Sequence, residues 1–85
     1  MYVIIVYDVS QTRVNRFCKF LRQYLNWVQN SVFEGELTIS QYEIIKHELR
    51  KMIKNEDLVI IYDLGKKWKN REVIGKEKSN ISNII

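Results

Sequence analysis

Tyr2 to Tyr7 (YVIIVY) is an unbroken apolar run that stops at Asp8. Its brevity and its β-branched and aromatic content read as a buried strand rather than a helix. A strand alternates its side chains, so a run apolar at every position needs cover on both faces. Helices supply one cover. In a chain of 85 residues, a second subunit is the economical source of the other. Leu58 to Leu64 (LVIIYDL) repeats the pattern with an apolar centre.

Between these runs lie two amphipathic segments. Ser10 is a candidate N-cap for a helix from Gln11 to about Leu25. Its apolar side carries Val14, Phe17, Cys18, Leu21 and Leu25 at helical spacing. Ser40, with Glu43 three residues on, reads as a capping box opening a second helix that stops near Asn55. Tyr42, Ile45, Leu49, Met52 and Ile53 form that helix's apolar stripe. Trp27 to Ile39 reads as two short strands, with the bend either at Gln29 and Asn30 or at Glu34 and Gly35. Glu72 to Ile74 is too short to stand alone but suits a sheet edge.

Strand, helix, strand, strand, helix, strand is the order of the ferredoxin-like βαββαβ sandwich, an α+β fold. Residues 1–78 form one domain, since a second core would lack the residues to bury itself. Residues 79–85 form a tail without a clear period and are expected to be loosely held. So small a core is marginal alone, which again favours a homodimer.

Charge narrows the partners. Fourteen Lys and Arg against ten Asp and Glu leave a formal net charge of +4, which suits an anionic partner. The excess is grouped. Arg13, Arg16, Lys19 and Arg22 share the outer half of the first helix, and Lys66, Lys67, Lys69 and Arg71 form a second block, neither broken by an acid. Repeated cations of this kind suit a phosphate backbone, although charged helix faces also serve as plain solvated surface.

Cys18 is the single cysteine, which excludes an intrachain disulfide and a cysteine-based metal site. His47 has no second histidine at ligand spacing and falls on the polar side of its helix. Trp27 and Trp68 offer rings for base stacking, with packing as the plainer role. No apolar run is long enough to span a bilayer and no basic leader precedes the first strand, so a cytoplasmic, membrane-free protein is expected.

Asp8 is the residue with the clearest chemical claim. A carboxylate directly after an apolar strand either caps the following turn or holds a hard cation such as Mg²⁺, which keeps waters and needs only one or two carboxylates. The fold is expected to gather Glu34, Glu36 and Asp57 at the same sheet end and to leave Asp63 at the other.

YVIIVYDVS, VQNSVFEGELT and DLVIIYDLG, in register from Met1 to about Lys78, resemble the small non-integrase family of the CRISPR adaptation pair, the CRISPR-associated endoribonuclease type. That resemblance implies a homodimer of facing sheets, with the strand at Glu72 to Ile74 crossing to the partner's sheet edge. It implies that Asp8 is the catalytic, metal-binding aspartate, its two copies facing across the dimer axis and holding Mg²⁺. It further implies a metal-dependent endonuclease on RNA or duplex DNA, and a bridge between integrase dimers during spacer acquisition. In such a mechanism the ion activates a water and Arg13 and Arg16 orient the backbone. No residue has a clear claim as general base. A non-catalytic DNA-binding scaffold and a toxin-like ribonuclease of the same fold remain as alternatives.

Overall fold

In a computed structural model that describes residues 1–66 and 71–78, the order of elements is the expected one. β1 spans Tyr2–Asp8, α1 Gln11–Leu21, β2 Asn26–Gln29, β3 Val32–Glu36, α2 Ile39–Met52 and β4 Leu58–Asp63. The sheet is antiparallel with order β2-β3-β1-β4. The most apolar strand, β1, is thus central, and its partners are the third strand and the last. This is the split arrangement of the ferredoxin-like fold.

Alternation along β1 sorts the two faces. Val3, Ile5 and Tyr7 are buried beneath the helices, and Tyr2, Ile4 and Val6 are half-buried on the opposite side, with Asp8 exposed at the end of their row. Phe17, Leu21, Leu25, Phe33, Leu37, Ile45, Leu49 and Met52 complete the core under α1 and α2. The Tyr7 ring lies 5.4 Å from Phe17 and 6.2 Å from Phe33, centroid to centroid. Burial pushes the Tyr7 phenol above its usual pKa.

The opposite face is largely bare. Ladder pairing sets Tyr62 beside Ile4, Ile60 beside Val6 and Leu58 beside Asp8. Tyr62 is 51% exposed, Leu58 54% and Ile60 37%. The two-faced apolar run is therefore covered on one side by its own helices and on the other only in part.

Several boundaries differ from the sequence reading. The first helix stops at Leu21 instead of Leu25, because Arg22, Gln23 and Tyr24 turn the chain so that Leu25 enters the core. The second begins two residues before the expected start. Thr38 is its N-cap and Gln41 closes the capping box, with Gln41 N–H donating to Thr38 Oγ1 and Thr38 N–H donating to Gln41 Oε1. It ends at Met52, with Ile53 in an extended C-cap conformation. The bend in the central hairpin is at Asn30, whose φ of 43° is left-handed, a conformation asparagine tolerates better than most residues. Gly35 instead lies within β3, where an added Cβ would sit 3.0 Å from Leu25 Cδ2. Residues 72–74 do not join the chain's own sheet, and Ile74 is 95% exposed. Three residues offer too few ladder bonds to hold a strand unaided. Among the described residues no helix is long and apolar enough to cross a membrane.

Candidate metal and nucleic-acid site

Asp8 sits where β1 ends on the open face. It is exposed, and neither a hydrogen bond nor an ion pair with a described residue occupies its carboxylate. The expected gathering of carboxylates around it does not occur. Glu34 pairs with Ile4 and Glu36 with Tyr2, about 14 and 20 Å along the strand from Asp8 at the rise of an antiparallel ladder. The reason is register: β3 runs opposite to β1, so only its first residue, Val32, approaches the Asp8 end, opposite Val6. Asp63 lies at the other end, opposite Val3, as expected.

Asp57 does lie at the Asp8 end, immediately before Leu58, but its carboxylate is committed. Its side chain is 1% exposed. Arg13 Nε donates to Oδ2 at 2.7 Å and Arg13 Nη2 to Oδ1 at 2.9 Å. Ser10 N–H donates to Oδ1 at 3.2 Å and Lys54 N–H to Oδ2 at 2.9 Å. The Arg13 fork and these two backbone donors outweigh desolvation and hold the Asp57 carboxyl well below the usual carboxylate range. Sequence reading did not find this pair, because 44 residues separate its members and each looks like an ordinary surface charge.

The basic residues divide by what they touch. Arg16 and Lys19 are exposed on α1 and make no ion pair with a described carboxylate. The guanidinium of Arg22 lies 5.7 Å from the centroid of the Trp27 ring, whose Nε1–H donates to Asn30 O at 2.9 Å. Arg13 is held by Asp57. Arg71 Nε lies 2.5 Å from Glu34 Oε2, and its Nη2 lies 2.6 Å from Glu77 Oε2. Lys66 is exposed, while Lys67, Lys69 and Trp68 fall outside the described residues. His47 is exposed, and Cys18 packs half-buried against the core.

A hard divalent ion fits Asp8 in kind. The donor is an uncommitted carboxylate, and open space around it leaves room for retained waters. Among the described residues, no group of three His, Cys, Asp or Glu converges on one point, so these residues offer such an ion no ready-made cluster of ligands.

The model of the CRISPR associated protein Cas2 family matches residues 1–72. The chain belongs to the Cas2 family. It is 56% identical over 86 residues to the CRISPR-associated endoribonuclease Cas2 of Thermococcus kodakarensis and 55% identical over 86 residues to that of Pyrococcus furiosus, each alignment covering all of both chains. A crystal structure of a Cas2 superposes with a TM-score of 0.83 at 48% identity, covering 93% of this chain and 91% of that one. Streptococcus pyogenes Cas2 superposes with a TM-score of 0.76 at 35% identity, covering 88% of this chain and all of that one. Cas2 family membership and the ferredoxin-like architecture thus agree with the fold read from the sequence.

Proposed function

We propose that this Cas2 family member is a homodimeric, Mg²⁺-dependent phosphodiesterase of the cytoplasm that acts on RNA or duplex DNA in CRISPR adaptation, in company with an integrase. The observation that carries this reading is the uncommitted Asp8 carboxylate at the end of a half-covered apolar row. Packing the open faces of two copies would cover Ile60, Tyr62 and Leu58 and bring two Asp8 carboxylates toward a common axis. The names of the relatives as endoribonucleases support nuclease activity.

In this reading Asp8 and a second copy's Asp8 hold the ion. Mg²⁺, when bound, supplies charge neutralisation at the phosphate and lowers the pKa of a bound water. Arg16 and Lys19, which pair with no described carboxylate, hold the nucleic-acid backbone against α1, with Arg22 and Lys66 extending the contact. Arg13 does not share that work, because its fork is occupied by Asp57.

A scaffold reading has its own support. Asp57 is saturated and Glu34 and Glu36 lie at the far end of the sheet, so none of these three carboxylates is placed beside Asp8 to take a proton from water. In that case the basic dimer holds duplex DNA and docks the integrase without cutting.

Comparing wild type with Asp8→Asn, prepared identically, separates the readings. Loss of Mg²⁺-dependent cleavage with fold and dimer intact supports the enzyme. Equal cleavage by both proteins means that the activity lies elsewhere. Binding of DNA by both with cleavage by neither favours the scaffold.

A further inference from the structure

No described residue holds the side chain of Asp8, so its direction depends on the backbone on either side of it. On one side Asp8 pairs with Leu58 in the β1–β4 ladder. On the other, two residues on, Ser10 N–H is tied to Asp57 Oδ1. Asp57 immediately precedes Leu58, so one buried carboxylate anchors both the strand that faces Asp8 and the chain leaving it. Ser10 is also the N-cap of α1, its Oγ accepting from Thr12 N–H and its carbonyl from Arg13 N–H. Arg13 then returns from the first turn of α1 to the same carboxylate.

We propose that Arg13 and Asp57 are positioning residues for Asp8, fixing the loop that aims its carboxylate at a divalent ion. This rests on the reading of Asp8 as a cation ligand. A site at which the described residues form no cluster of ligands has little to absorb a displaced loop, so its geometry must be set from behind. The chemistry of the pair suits that task. A carboxylate accepts at both oxygens and meets all four donors. An asparagine amide would turn an N–H₂ group toward two of them. The arginine fork fixes orientation where a lysine would supply only charge.

The test uses Mn²⁺ as the probe, its binding to the intact protein followed by electron paramagnetic resonance, in wild type, Asp8→Asn, Asp57→Asn, Arg13→Lys and the Asp8→Asn/Asp57→Asn double variant. Asp57→Asn is expected to weaken Mn²⁺ binding about tenfold, the lower range for a group supporting a metal ligand. The double variant should bind no more weakly than Asp8→Asn alone. For cleavage of RNA, kcat should fall with Asp57→Asn while KM stays within about twofold, since Arg16 and Lys19 are untouched. Arg13→Lys keeps a cation beside Asp57 and carries the test if Asp57→Asn does not fold. A lowered Tm with Mn²⁺ affinity within twofold of wild type in the folded variants overturns the proposal and leaves the pair as support for the fold. Equal Mn²⁺ affinity in Asp8→Asn and wild type removes the cation reading of Asp8 itself, and the positioning role with it. That outcome is read from the Asp8 variant alone.

Discussion

Arg71 reaches back from beyond the last strand to place its Nε 2.5 Å from Glu34 Oε2 on the open face of the sheet. Glu34 is nearly buried there, pairing with Ile4, and a carboxylate in such a place needs a cation or donors to offset its desolvation.

Removing the cation should therefore be costly. Arg71→Ala is expected to destabilise the protein by about 1–2 kcal/mol, below the figure for a fully buried pair because Arg71 is partly exposed. For a domain of this size that lowers Tm by at least about 5 °C. Glu34→Gln in the same background should recover part of the loss, which thermal melts of wild type, both single variants and the double variant would show.

Asp57 makes stability depend on acid. Its carboxyl titrates far below the ordinary range in the folded protein, chiefly through Arg13, and near 3.9 in the unfolded chain. The pair's contribution is therefore complete above about pH 5 and is lost as pH falls through the unfolded value toward the folded one. The Tm gap between wild type and Asp57→Asn should be widest between about pH 5 and 7 and should shrink toward pH 2. A gap that does not change with pH would mean that the charge of Asp57 is irrelevant to its role.

Self-association should depend on the open face. Ile60→Asp places a charge beside Val6 at a position already 37% exposed, so the monomer should still fold. Light scattering after size exclusion is expected to give about twice the 10.3 kDa chain mass for wild type and the single mass for the variant.

Nucleic-acid binding should track the cations that no described carboxylate holds. Reversing Arg16 and Lys19 together should weaken binding to duplex DNA and reduce the slope of log affinity against log salt by about 2. Arg71→Ala should leave that slope nearly unchanged, because its charge is shared between Glu34 and Glu77.

What was legible in the sequence is what is written locally. Two apolar runs gave β1 and β4, and the helix stripes gave the inner faces, since each signal lies within one element. The start of α2 was misjudged because Thr38 with Gln41 and Ser40 with Glu43 both fit the capping pattern, and only the first is made. Asp8 was visible because it interrupts an apolar run. Its surroundings were not, because antiparallel register sends Glu34 and Glu36 away from it. The Arg13–Asp57 pair joins two loops that only the finished sheet brings together.

The order of the strands also has a consequence for the chain while it is being made. β1 is made before the other described elements, yet its partner on one side is β4, the last of the described strands, with Asp8 waiting for Leu58. At about 5–20 residues per second, the 49 positions between Asp8 and Leu58 take about 2–10 s to synthesise. For that interval the most apolar segment of the protein has an unsatisfied edge. The nascent β1 must be shielded by α1 and the β2–β3 hairpin until β4 arrives, and that early subassembly is the species most exposed to mispairing with a neighbouring chain.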